Sequence, residues 1–175
     1  QLGYDKDQIR FDSLSGELIV SKSENGFTLD FPVWPHTKID IDPRVTDALG
    51  AEPLELYTGP DWVAVYDDPA IVENMAPDMG KLSAISEARG IIATAEGKDG
   101  IDFVSRFFAP QTGVNEDPVT GSAHTSLTPY WSGVSGMQKL TAQQLSARGG
   151  QLICELAGER VLISGEAVSY MEGEI

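Results

Sequence analysis

The chain predicts an α+β fold in which many short strands wrap around a single buried helix. Three observations carry that prediction. Strand-like runs recur along most of the 175 residues, punctuated by glycine turns. The helical signals before residue 90 are short and closely capped. One later stretch, Gly121-Ser122-Ala123-His124-Thr125-Ser126-Leu127-Thr128, keeps its side chains small throughout, as suits a helix enclosed on every side by a sheet.

In order along the chain, residues 9–31 read as strands joined at Ser15-Gly16 and Asn25-Gly26, the latter a strong hairpin signal. Asp42-Pro43 supplies an N-cap and a first-turn proline, and Gly50 a stop, so a short helix is expected between them. Leu54–Tyr57 and Trp62–Tyr66 read as strands around the Gly59-Pro60 turn. Residues 69–85 hold two short helical stretches, each broken near a proline. Strands follow at 90–95 and 101–108, then the helix from Gly121 to about Trp131. Pro129 inside it should remove one backbone bond and loosen the last turn. Strands near 139–146, 150–156, 159–164 and 166–171 complete the chain.

Acids outnumber bases 27 to 12, for a formal net charge of −15, which disfavours nucleic-acid binding. The same field repels an anionic substrate unless the site supplies its own donors. A single cysteine, Cys154, excludes an intramolecular disulfide, and its alternating strand context reads as packing. Lacking an apolar run of the ~20 residues that span a bilayer, and any signal-peptide pattern at its start, the chain is expected to be cytoplasmic and not membrane-bound. His36 and His124 stand apart from any metal-ligand spacing, and neither a nucleotide loop nor another cofactor signature is present.

Candidate chemistry concentrates in Arg106-Phe107-Phe108-Ala109-Pro110 and Glu116-Asp117-Pro118-Val119-Thr120-Gly121-Ser122-Ala123-His124. This reads as a strand, a loop with two carboxylates, and a helix entry whose free N–H groups suit an anion. Read from these residues alone, the pattern favours a simple capped helix, with Thr120 or Ser122 as N-cap and Asp117 as a turn residue. Ser122 as a nucleophile is poorly supported, because His124 two residues on points off another helix face. Arg106 could steady Glu116 or a ligand carboxylate. Of Phe107 and Phe108, one should face the core and the other a pocket. Trp34, Trp62 and Trp131 read as packing.

These motifs closely resemble the signature of the PhzF-like (phenazine-biosynthesis-like) family, which shares its fold with diaminopimelate epimerase. Supporting matches are Phe11-Asp12-Ser13-Leu14-Ser15-Gly16-Glu17-Leu18, Leu29-Asp30-Phe31-Pro32, Arg148-Gly149-Gly150-Gln151-Leu152 and Val161-Leu162-Ile163-Ser164-Gly165-Glu166-Ala167-Val168. The resemblance implies a diaminopimelate epimerase-like lobe, a curved and mostly antiparallel sheet around a central helix. On that reading residues 1–48 are the remnant of an N-terminal, pseudo-symmetric lobe. Residues 49–165 are the C-terminal lobe with its helix from about 121, and 166–175 a closing strand returning to the first lobe. The family's Gly-Asn-Pro segment, catalytic Glu and Cys-Gly-His-Ala helix entry are not in this sequence, so residue 1 is expected to fall inside a longer fold.

By the same resemblance, Asp117 is the expected catalytic residue. Gly121, Ser122, Ala123, His124, Glu116 and Phe108 are the expected substrate-binding residues, the first three through backbone N–H groups. Related epimerases and racemases place thiols at their helix starts; none stands here, which favours carboxylate chemistry. The implied function is a cofactor-independent isomerase or epimerase-like enzyme, commonly a homodimer, moving a proton on a small substrate with carboxyl and amino groups. The alternative is a non-catalytic small-anion-binding or assembly module.

Overall fold

Turn and cap chemistry sets the element boundaries in the computed structural model, which describes residues 6–23, 26–167, 171 and 173. Strands β1 (Gln8–Ser13) and β2 (Gly16–Ser23) meet at Gly16, whose φ of 95° favours glycine. Strand β3 (Gly26–Pro32) follows; Asn25 of the expected Asn-Gly turn lies outside the described residues. After β4 (Thr37–Ile39), helix α1 (Pro43–Leu49) begins where Asp42 accepts from the Arg44 N–H, and ends at left-handed Gly50.

Strands β5 (Glu55–Thr58) and β6 (Trp62–Tyr66) precede two helices, α2 (Pro69–Asn74) and α3 (Met79–Ser83), with Asp68 and Asp78 as caps. Then come β7 (Ile91–Glu96), β8 (Phe103–Ala109), a 3-10 turn at Pro110–Thr112 and β9 (Val114–Glu116). Helix α4 (Gly121–Ser135) leads to β10 (Lys139–Gln144), β11 (Gly150–Ala157) and β12 (Arg160–Glu166). The separate strand expected at 166–171 is not seen among the described residues: Glu166 ends β12, Ala167 and Met171 are outside any strand, and residues 168–170 are not described. No helix of the described residues is long and apolar enough to cross a membrane.

The strands form one mixed sheet in the order β1-β2-β3-β12-β11-β10-β8-β7-β6-β5-β4, with β9 attached to β8. All pairings are antiparallel except β6 with β7 and β8 with β10. Period-two alternation divides the core. Val63, Val65, Ile92, Phe103 and Phe107 face α4, whereas Ala64, Tyr66, Ile91, Ala93 and Phe108 belong to the layer containing α1, α2 and α3.

Helix α4 is buried from Ala123 through Thr128, and two of its threonine hydroxyls return hydrogen bonds to its own backbone. Thr125 Oγ1 donates to Ser122 O at 2.6 Å and Thr128 Oγ1 to His124 O at 2.6 Å. The helix does not loosen at Pro129 but continues to Ser135. A proline cannot donate to the carbonyl four residues back, and here the Trp34 N–H donates to that carbonyl, Thr125 O, at 3.3 Å. The segment after β3 thus supplies the bond that the sequence removes.

Gly90 lets β7 pass close beneath an aromatic ring. A Cβ there would stand 2.6 Å from the Phe107 ring and 2.8 Å from Phe108 O. Gly90→Ala is expected to cost about 1–3 kcal/mol of stability through overpacking. A urea midpoint equal to that of the parent protein would refute this.

Candidate functional site

The loop between β9 and α4 is held from several directions. The Asp117 N–H donates to Phe107 O at 3.0 Å, tying the loop to β8. Gln144, 1% exposed at the end of β10, grips the other side. Its Oε1 accepts from the Thr120 N–H at 2.7 Å, and its Nε2 donates to Asp117 O at 2.7 Å and Thr120 Oγ1 at 3.1 Å. Ser146 Oγ adds a bond to Pro118 O at 2.7 Å. Gln144→Leu would leave the Thr120 N–H and the Asp117 carbonyl without their side-chain partner, costing about 1–3 kcal/mol. The expected reading is a lower urea midpoint, and an unchanged one would argue that the loop is held without it.

This clamp aims two groups. Thr120 occupies the N-cap position of α4 by its backbone, yet its hydroxyl donates to Asp117 Oδ2 instead of capping a helix N–H. The half-buried Asp117 carboxylate is therefore pinned beside the helix start. The opening N–H groups of a helix have no acceptor within it. Among the described residues no hydrogen bond takes up those of Gly121 and Ser122. A carboxylate and a set of anion-seeking N–H groups thus stand side by side.

The other expected residues separate by geometry. Glu116 is committed to Arg106, which holds it through Nε at 2.7 Å and Nη2 at 3.0 Å and uses Nη1 on Val72 O and Met75 O. This pair ties β9 to the end of α2. Phe108 does not line a pocket: it is 0% exposed on the far side of the sheet, with the Arg106 guanidinium 4.9 Å from its ring. Phe107 is the phenylalanine that faces α4. Ala123 is buried, so only its backbone could face a ligand.

His124 is fully buried, its Nδ1 2.8 Å from Thr120 O and its Nε2 without a protein partner among the described residues. Burial pushes its pKa down to about 4, so the imidazole is neutral. It backs the loop and makes no pair with Ser122. Cys154 is equally buried, and burial pushes its thiol up to about 12, so it offers no thiolate.

Sequence reading missed Arg89 and Asp61. Arg89 lies just before β7, and Asp61, 1% exposed, just before β6. They form a two-pronged ion pair, with Arg89 Nε 2.8 Å from Asp61 Oδ1 and Nη2 2.5 Å from Oδ2. Arg89 Nη2 also donates to Ser122 Oγ at 2.8 Å. Asp61, and more weakly Asp117, hold the guanidinium charged against the pull of its partial burial. Trp34 and Phe107 lie over it, their ring centres 5.1 Å and 5.4 Å from its central carbon. Trp34 is therefore a wall of the site as well as packing. With Ser15, Leu18, Phe31, Pro32, Arg89, Ser122 and Thr125 it encloses a cavity of about 230 Å³. Neighbouring residues carry no signal for this pairing; only the parallel registry of β6 and β7 brings Asp61 and Arg89 together.

The family model described as phenazine biosynthesis-like protein matches residues 2–173. The chain is 42% identical over 167 residues to a Pseudomonas aeruginosa protein named an uncharacterized isomerase, covering 95% of this chain and 64% of that protein. A PhzF family crystal structure from Enterococcus faecalis superposes with a TM-score of 0.89 at 41% identity, over 97% of this chain and 65% of that one. A predicted epimerase from Pseudomonas aeruginosa superposes with a TM-score of 0.62 at 12% identity, over 94% of this chain and 66% of that one, a likeness of fold alone. The chain spans about 64% of the length of the curated relatives it matches.

Proposed function

The chain belongs to the phenazine biosynthesis-like protein family, and from that premise we propose that it contributes one wall of the active site of a cofactor-independent isomerase. The reaction is transfer of a proton on a small substrate bearing carboxyl and amino groups. The observation that carries this reading is the pairing of the pinned Asp117 carboxylate with the unclaimed N–H groups at the start of α4.

In this mechanism a substrate carboxylate accepts hydrogen bonds from the Gly121 and Ser122 N–H groups, where the helix dipole favours negative charge. Asp117, beside it, accepts a hydrogen bond from the substrate's amino group or passes a proton. A carbon-bound proton leaves to one carboxylate and another is delivered elsewhere on the same substrate, so no electrons are exchanged and no external oxidant or reductant is needed. The second acid/base group is assigned to the glutamate that the family resemblance places outside this sequence. Homodimer formation is part of the same proposal. The thiol route is disfavoured by the buried Cys154, and nucleophilic attack by Ser122 is disfavoured by the placement of His124.

The test is proton exchange. A panel of small amino-carboxylates is incubated in deuterated water with a protein that includes the family's N-terminal half, and each compound is examined by mass spectrometry and NMR. Incorporation of deuterium at carbon supports the isomerase. Binding of panel members with no incorporation would instead favour the anion-binding module.

A further inference from the structure

Arg89 has more donor capacity than its protein partners use. A guanidinium carries five N–H groups. One on Nε and two on Nη2 are engaged with Asp61 and Ser122. Among the described residues, neither N–H of Nη1 meets an acceptor. The side chain is 40% exposed, whereas the Asp61 carboxylate behind it is 1% exposed. One edge of the fork is locked to a buried anion, and Arg89 is part of the wall of the 230 Å³ cavity. The rings of Trp34 and Phe107 restrain the guanidinium from swinging away. Ser122 Oγ spends an acceptor position on Arg89, which leaves its own O–H free to donate.

The rest of the cavity is different in kind. Leu18, Phe31, Pro32 and Trp34 present apolar surface. Its volume lies below the roughly 300–1,000 Å³ of drug-sized sites. A cavity with one fixed polar corner and apolar walls selects a small amphipathic molecule. In a chain of net charge −15, anion binding requires donors held in place rather than a general field. One N–H of Nη1 and the adjacent Ser122 hydroxyl offer one donor to each of the two oxygens of a carboxylate.

We propose that this cavity is a subsite for the carboxylate of a small ligand with an apolar body, anchored by Arg89 Nη1 and the Ser122 hydroxyl. It rests on the reading of the α4 start as substrate-facing, because Ser122 serves both, and it adds the recognition element on the Arg89 side. Asp61 is the positioning residue that holds the fork at its angle.

Binding decides this without turnover. Benzoate, benzyl alcohol and inorganic phosphate are titrated into the protein while the Trp34 indole N–H is followed by NMR, its signal identified by its loss in Trp34→Phe. Benzoate should shift that signal and bind about tenfold more tightly than benzyl alcohol, the value of a hydrogen bond to a charged group. Asp61→Asn combined with Arg89→Gln removes both charges of the pair, so no buried carboxylate is left alone. That double variant should bind benzyl alcohol as before and lose the preference for benzoate. Equal affinities for benzoate and benzyl alcohol in the parent protein, a preference surviving in the double variant, phosphate binding as tightly as benzoate, or no shift of Trp34 by any of them would each overturn the proposal. Asp117→Asn separates the two readings: benzoate binding persists there if the subsite is real, whatever happens to proton exchange.

Discussion

Asp117→Asn is expected to slow carbon-bound proton exchange by about 10²–10⁴-fold, the usual contribution of a positioned acid or base. The substitution is nearly isosteric, and the loop around it is held mainly by backbone contacts. Asp117 N bonds Phe107 O, and Asp117 O accepts from Gln144. An amide oxygen can still accept from the Thr120 hydroxyl, which now bonds Asp117 Oδ2. The fold should therefore persist while the proton-carrying group disappears. Exchange kinetics across substrate concentrations separate the cases. A fall in kcat with KM nearly constant supports proton transfer, and a change confined to KM points to an orienting role. Exchange at the parental rate would remove Asp117 from the mechanism.

The second large effect is acid destabilisation through His124. Its folded-state pKa of about 4 lies below the unfolded value of 6.5, because the buried imidazole resists charging. Between those values the unfolded chain binds more protons than the folded one, so stability rises with pH. The contribution is fully present above about pH 6.5 and is lost as pH falls toward 4. A shift of this size is worth about 3 kcal/mol across the window. Burial also lowers the pKa of the half-exposed His36, which adds slope in the same direction. Hydrogen-bonded carboxylates with lowered pKa values, such as Asp42 and Glu55, act at lower pH. Urea unfolding of the parent protein and His124→Gln between pH 7.5 and 4.5 should show a distinctly shallower slope for the variant. Parallel slopes would mean that His124 charges freely in the folded state.

How much was legible in the sequence depends on how far apart the interacting residues lie. The α1 cap at Asp42 and its stop at Gly50 were readable because both work within a few residues. So was the burial of α4, since a run of small side chains is a local property. Its length was misjudged at Pro129 because the compensating Trp34 N–H comes from 91 residues before Thr125, the difference of the two positions. Asp117 and the Gly121-Ser122 entry were legible through one contiguous motif. Glu116 and Phe108 stood in the same motif and were assigned to ligand, yet Arg106 takes the first and strand alternation turns the second away.

The sequence by itself determined the caps and turns of the short elements, the enclosed helix and the loop that meets it, because turn dihedrals, caps and side-chain size act on neighbours. Only the tertiary structure decided which polar groups complete the site. Asp61 and Arg89 stand 28 residues apart, Arg89 and Ser122 33, and Thr120 and Gln144 24. Their meeting follows from strand order and register, in which β8 lies between β7 and β10 and β6 runs parallel to β7. A buried carboxylate such as Asp61 needs its partner, but nothing local to it names Arg89; the sheet makes that choice.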